Sequence, residues 1–234
     1  MKESINMNNI LIDCISDTHN QHQKLKLPGG HILIHSGDFS GRGAFAETLK
    51  FLTWFSEQPY LYLILVPGNH DGVFEKYPDL MLEICNKLNI ILLNDSSVSL
   101  YGLNFWGSPI QPEFCNWYFN RKRGSEIRKH WDLIPLDTDV LITHGPPYGT
   151  LDECPKLGVM ESVGCEELAE VVSKSKIKLH IFGHIHESSG NVKIKNKLYV
   201  NAASLDGSYR FIEPGYTRLE YSKNKTGKFK VVKT

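Results

Sequence analysis

The sequence predicts an α/β fold with a largely parallel sheet, on three observations. Short runs rich in Ile, Leu and Val recur along the chain, stretches of helical periodicity lie between several of them, and the C-terminal part switches to polar–apolar alternation. The runs are "ILIDCIS", "HILIHSG", "LYLILVPG", "NIILLND", "VLITHG" and "LHIFGH". Each has strand length and enough apolar residues for a strand buried on both faces.

Between the third and fourth runs, Met81, Ile84, Cys85 and Leu88 fall at i, i+3, i+4 and i+7 behind Pro78, which suits the first turn of a helix. A second helical stripe starts near Gly164 with Cys165, Leu168 and Val172. The tail segments "NVKIKNKLYVNAAS" and "YTRLEYSK" alternate and read as antiparallel strands, so a mixed sheet, or two sheets packed together, follows. No repeat, low-complexity stretch or linker divides the chain. The expectation is a single domain over residues 1–234 with its core at about 10–220.

Composition narrows the function classes. The 234 residues are 41% hydrophobic, enough for a sizeable core. Lys+Arg and Asp+Glu are both 26, so no overall basic field exists to hold extended nucleic acid through its phosphates. The basic cluster "RKRGSEIRK" is interrupted by Gly124, Ser125 and Glu126 and reads as a solvated loop and helix start. Five scattered cysteines, odd in number and without a CxxC pair, favour neither a zinc ribbon nor a disulfide scaffold. With the polar opening "MKESINMNN", they point to a reducing, cytoplasmic protein without a membrane span.

The strand-like runs end in unusual chemistry. "SDTH" follows "ILIDCI", "GD" follows "HILIHS", "GNHD" follows "LYLILVP", "THG" follows "DVLI" and "GHIH" follows "LHIF". Ligands of open α/β sheets bind outside the carboxyl ends of strands, so these segments can converge on one site. In extended chain, residues i and i+2 face one side, which pairs Asp17 with His19 and His184 with His186. Neighbours diverge, so Asn69 and His70 cannot easily serve one ion.

Three carboxylate or amide groups and several imidazoles of these segments, seven candidate donors, form a mixed O/N donor set. It suits Mn²⁺, Fe or Zn²⁺ better than Ca²⁺ or Cu(I), and it exceeds what one ion with open positions needs. Two ions sharing the two-oxygen bridge Asp38 is the economical reading, at the roughly 3.5–4 Å separation of two-metal sites. Any one of these short motifs alone is weak evidence, because a lone His beside a strand is more often structural. His22, His31, His35, His130 and His180 lack the strand-end context and are read that way.

Together "DTH", "GD", "GNHD", "THG" and "GHIH" resemble the signature of the calcineurin-like metallophosphoesterases. "GSPIQPEFCNWYFN", "LITHGPP", "VGCEEL" and "LHIFGHIHE" resemble the metallophosphoesterase-domain branch, related to the class III cyclic-nucleotide phosphodiesterases. The likeness runs from about Ile10 to Ser204. It implies a four-layer α/β/β/α sandwich of two mixed sheets flanked by helices. It also assigns Asp17, His19 and His186 to one ion and Asn69, His144 and His184 to the other, with Asp38 bridging. His70 is left facing substrate, to stabilise the phosphate or protonate the leaving oxygen, with Asp71 orienting its imidazole. Both histidines of the final motif are present, so an active dinuclear enzyme is expected.

Bound metal lowers the pKa of water toward about 7, so a bridging hydroxide is the expected nucleophile and no covalent intermediate is needed. "GPP" and Thr143 then only shape the loop that carries His144. Ser/Thr phosphatases place a phosphate-clamping arginine after their "GNHE" motif; this chain reads "GNHDGVFEKY" without one. The expected substrate is therefore a small phosphodiester, such as a 2′,3′- or 3′,5′-cyclic nucleotide. A nuclease, a phosphomonoesterase and a non-catalytic metal-bound scaffold are the alternatives. Arg42 is read as solvated surface rather than a phosphate contact. "NWYFN", residues 116–120, is left between base stacking, core packing and a homodimer contact. "VNAAS", residues 200–204, is expected to support the site.

Overall fold

The computed structural model describes residues 9–223 and 227–233. The first half of the chain runs β1 (Asn9–Ile15), β2 (Gly30–His35), α1 (Phe45–Ser56), β3 (Tyr60–Leu65), α2 (Val73–Lys76), α3 (Pro78–Lys87) and β4 (Ile90–Leu92). Then come β5 (Ser96–Leu100), β6 (Leu103–Ser108), β7 (Gln111–Pro112), β8 (Asn120–Arg121), α4 (Ser125–Trp131) and β9 (Val140–Thr143). The last part holds β10 (Glu153–Lys156), β11 (Val159–Ser162), α5 (Glu166–Lys174), β12 (Leu179–Phe182), β13 (Gly190–Ile194), β14 (Lys197–Asn201), β15 (Thr217–Ser222) and β16 (Lys228–Lys233).

Two six-stranded mixed sheets result, ordered β16-β15-β1-β2-β3-β4 and β13-β14-β12-β9-β6-β5. In the first, β1 to β4 run parallel, β15 runs antiparallel to β1, and β16 runs antiparallel to β15. In the second, β6, β9, β12 and β14 run parallel, with β5 and β13 as antiparallel edges. The tail was expected to be antiparallel throughout. β14 differs, pairing antiparallel with β13 but parallel with β12, because the chain crosses over to form the β13 edge before returning beside β12.

Alternation along the strands builds the layers. Ile10, Ile12, Cys14, Ile32, Ile34 and Ile64 of the first sheet share one buried cluster with Phe105, Val140, Ile142, Leu179, Ile181 and Val200 of the second. The intervening residues face outward. Leu33, Leu63 and Leu65 pack with Phe51, Leu52 and Phe55 of α1 and Met81 and Cys85 of α3. Trp106, Leu141 and Phe182 pack with Ile127 and Trp131 of α4 and Leu168 and Val172 of α5. The order is helix, sheet, sheet, helix, the four-layer sandwich that the resemblance implies.

The expected helices are present: Met81 and Cys85 are buried on α3 behind Pro78 at its first turn. Cys165 caps α5, its Sγ accepting the Leu168 amide. The two sheets touch at the carboxyl ends of their central strands. A parallel bridge joins Ser16 to Ala203, and the Ser204 amide donates to the Ser16 carbonyl at 2.9 Å. No helix among the described residues is long and apolar enough to cross a membrane.

Candidate metal centre

All seven candidate donors lie just past five parallel strands: Asp17 and His19 after β1, Asp38 after β2, Asn69 after β3, His144 after β9, and His184 and His186 after β12. The structure gathers them into adjoining clusters. Donor atoms of Asp17, His19 and His186 lie within 4.8 Å of one another, as do those of Asp38, His144 and His184. A third such set, His19, Asp38 and His70, places Asp38 between the other two. Asn69 joins the second cluster through its Oδ1, 2.9 Å from His144 Nε2.

The i, i+2 geometry is not that of extended chain. Asp17, His19 and His184 have φ of 52°, 37° and 71°, so left-handed turns, not a strand pleat, aim these side chains. His184 and His186 consequently part company, the first lying against His144 with ring centroids 4.9 Å apart and the second against His19 at 5.2 Å.

Backbone carbonyls fix the imidazole tautomers. His19 Nδ1 faces the Ser40 carbonyl at 3.2 Å, His144 Nδ1 that of Ser36 at 2.9 Å, and His186 Nδ1 that of Asp206 at 3.2 Å. A carbonyl only accepts, so each Nδ1 carries a hydrogen and each ring turns its Nε2 inward, the atom a metal ion would take. His19 Nε2 and His186 Nε2 lie 3.3 Å apart. Asp17 Oδ1 is buried with no hydrogen-bond partner and faces His186 Nε2 at 3.6 Å. Lone pairs and carboxylates converging without donors repel one another until a cation sits among them, so these residues fit divalent metal ions.

Electrostatics agree. Burial pushes the His184 imidazole down to about 3, with cationic His144 adding to the effect, which keeps its lone pair free. Burial would also lower His144, but the Asp38 carboxylate at 3.4 Å overrides it and raises the ring to about 9. Burial likewise works against ionised Asp38, and His144 overrides it, holding the carboxyl far below its ordinary range.

Small residues let the loops close. Gly37 has φ of 111°, and a Cβ there would strike His144 Nδ1 and the Gly68 backbone. A Cβ on Gly183 would overlap Asp17 Oδ2 and Ser16 Oγ. Support comes from "VNAAS", as expected: the Asn201 amide donates to the Ile185 carbonyl at 2.8 Å, between the two final histidines. His35, Thr143 and His180 are structural, also as read. His35 holds Thr18 and the Gly37 amide, while Thr143 Oγ1 meets the Gly145 carbonyl and His180.

Asp71 corrects the sequence reading. It does not hold the His70 ring, whose Nδ1 instead faces the Gly41 carbonyl at 2.6 Å. The buried Asp71 carboxylate points the other way. It accepts the amides of Asp38 (2.9 Å), Gly68 (2.8 Å) and Ser40 (3.1 Å), and the Ser40 hydroxyl (2.9 Å). Consecutive side chains diverge, so Asp71 braces the loops beneath the site while the His70 ring stays on the cleft side, beside Asp38.

A cleft of about 310 Å³ opens over both clusters, lined by His19, Asp38, Asn69, His70, His184 and His186 among others. Its rim contains aromatic residues the sequence did not single out. Tyr209 packs on His19 and His186, and Phe114 meets His184 edge-on at 5.0 Å. Within "NWYFN", Trp117 stacks on His70 at 4.1 Å while Phe119 is core. Arg42 is exposed and lies outside the cleft wall.

A sandwich of two mixed sheets whose strand ends gather His and Asp into adjoining cation-binding clusters defines the metallophosphoesterase class. Residues 10–188 match the family model for calcineurin-like phosphoesterases. The human metallophosphoesterase domain-containing protein 1 is 39% identical over 223 residues, which cover 86% of this chain and 68% of the relative. Among solved structures, TT1561 of Thermus thermophilus superposes with a TM-score of 0.65 at 16% identity, over 95% of this chain and 97% of that one. A structure described as a novel archaeal phosphodiesterase gives 0.51 at 18% identity, over 95% and 99%; both likenesses concern the fold. The chain belongs to the calcineurin-like phosphoesterase family, a family of metal-dependent phosphoester hydrolases.

Proposed function

We propose that this protein is a dinuclear phosphodiesterase acting on small nucleotide diesters. Asp17, His19 and His186 hold one ion, Asn69, His144 and His184 the other, and Asp38 lies between them. Mn²⁺ and Fe fit the mixed O/N donors best, with Zn²⁺ also compatible. When bound, such ions supply Lewis acidity toward the phosphoryl oxygens and an activated water at neutral pH.

The observation that carries the reading is the cleft over both clusters, whose wall includes five of the seven candidate ligands, together with His70 and Glu187, and neither Lys nor Arg. A phosphate monoester dianion calls for a cationic clamp beyond the metals, whereas a diester, with one negative charge, does not. The same wall disfavours extended nucleic acid, as does the zero net charge. Five free cysteines suit a reducing, cytoplasmic setting.

His70 supplies the acid. Gly41 keeps the proton on Nδ1, and Trp117 fixes the plane of the ring by stacking. With Nδ1–H held by Gly41, His70 acts as the imidazolium, and its second proton, on Nε2 3.9 Å from Asp38 Oδ2, is the one handed to the departing oxygen.

The test combines metal-reconstituted protein with a screen of 2′,3′-cyclic, 3′,5′-cyclic and linear nucleotides. A tenfold preference corresponds to about 1.4 kcal/mol of transition-state stabilisation. His70→Asn should cost roughly 10²–10⁴ in turnover of alkyl diesters, whose leaving group needs a proton, and far less with p-nitrophenyl esters. Equal losses on both would remove His70 from the acid role, and no diester turnover by the wild type would remove the reading itself.

A further inference from the structure

A second cavity, of about 370 Å³, adjoins the metal cleft and shares Phe114 and His184 with it. Its character is different. Pro112, Pro146, Val163 and Ile185 supply apolar walls, and Cys154 closes one side. Its one guanidinium, on Arg123, is already committed: it donates to the carbonyls of Val163 and Gly164 at 2.8 Å each and pairs with Glu166. Glu113 adds an exposed carboxylate at its wall, so the cavity offers no uncommitted Lys or Arg to an anionic group, while its proline, valine and phenylalanine surfaces suit a flat ring.

Position says which part of a substrate arrives there. His70 and Trp117 stand in the wall of the metal cleft but not in this cavity, and His70 serves the leaving oxygen. The cavity opens beside His184, on the second cluster. A phosphodiester bound over both clusters has two ester substituents, and only one of them departs toward His70.

We infer that this cavity is the subsite for the substituent that stays on phosphorus, and that it takes a planar aromatic group, a nucleobase or an aryl ring. The inference rests on the phosphodiesterase reading above and specifies its substrate. Water bonds to phosphorus and loses one proton, the phosphorus–oxygen bond on the His70 side breaks, the departing oxygen takes its proton from His70, and the proton lost by water restores His70 through solvent. The aromatic group remains in the cavity on the monoester product.

Diesters that share one leaving group isolate the subsite. Methyl p-nitrophenyl phosphate, phenyl p-nitrophenyl phosphate and thymidine 5′-(p-nitrophenyl phosphate) all release p-nitrophenolate and differ only in the retained group. Metal-loaded wild type should favour the phenyl or the thymidine ester over the methyl ester at least tenfold in kcat/KM, and whichever is better distinguishes an aryl from a nucleobase subsite. Filling the cavity with Val163→Phe and, separately, with Cys154→Phe should collapse that ratio, and turnover of the methyl ester reports that each variant folds and binds metal. As a readout apart from activity, diphenyl phosphate but not dimethyl phosphate should slow alkylation of Cys154, followed by peptide mass spectrometry. An aromatic-to-methyl ratio unchanged in both filled variants, with no protection of Cys154, would overturn the subsite alone. Absence of diester turnover in the wild type would overturn it together with the phosphodiesterase reading.

Discussion

Asp71→Asn separates two roles that the sequence alone could not distinguish. If Asp71 braces the loops, the substitution must cost stability before any metal or substrate is present. Its carboxylate accepts three backbone amides and one hydroxyl in a buried site. An asparagine keeps one acceptor oxygen for the Asp38 and Gly68 amides, but turns an NH₂ group toward the Ser40 amide. That amide loses its partner, at about 1–3 kcal/mol, and the two remaining bonds lose their charge assistance, at about 1 kcal/mol each. Against this stands the relief of crowding two acids together: burial and the neighbouring Asp38 push Asp71 up to about 7. The net expectation is a loss of roughly 2–4 kcal/mol, or about 5–15 °C in Tm for a chain of this size. Urea denaturation of chelator-treated wild type and variant measures it directly. A variant as stable as wild type that nonetheless loses turnover would refute the reasoning and return Asp71 to the His70 imidazole.

Other perturbations test neighbouring parts of the argument. Gly37→Ala, at φ 111° with a Cβ aimed at His144, should cost roughly 2–4 kcal/mol and weaken the second cluster's ion; a metal titration with wild-type affinity would count against it. His184→Ala and His186→Ala should each lower the bound metal from two equivalents toward one by elemental analysis, because the two rings belong to different clusters; loss of both ions from either variant would contradict that division. Burial, and to a lesser degree Lys197, pushes His180 down to about 3, below its value of about 6.5 in the unfolded chain. Below pH 6.5 the unfolded state therefore binds more protons, and stability falls as pH drops toward 3, by about 2–3 kcal/mol at pH 4.5. In metal-free protein His180→Leu should flatten that slope, and an unchanged slope would assign the acid sensitivity elsewhere.

The sequence and structure diverge where geometry is set by turns rather than by strands. β1, β2, β3, β9 and β12 were legible because strands covered on both faces read as unbroken apolar runs, and their polar ends stand out against them. The edge hairpin β5–β6 escaped notice because "SSVSL" is polar and half exposed; its only marker is the Tyr101–Gly102 turn, both residues at positive φ. Helix α1 carried a readable stripe, Thr48, Phe51, Leu52 and Phe55, all buried. Which residues gather at the site followed from strand ends alone, but how they point did not. The pleat puts i and i+2 on one side, yet the left-handed φ at Asp17, His19 and His184 replaces the pleat with turns. That is also why the role the resemblance implied for Asp71 failed: next to His70 in sequence, its carboxylate is directed away from it into the Asp38, Gly68 and Ser40 amides. Tyr209 shows the remaining limit. It reaches His19 and His186 from the loop between β14 and β15, and neither its spacing nor its neighbours, "DGSYR", carry a periodicity that would place it there. The rim that chooses a substrate is built from such loops, so the sequence could reach the chemistry of the centre through its strands, while the shape of what enters had to come from the structure.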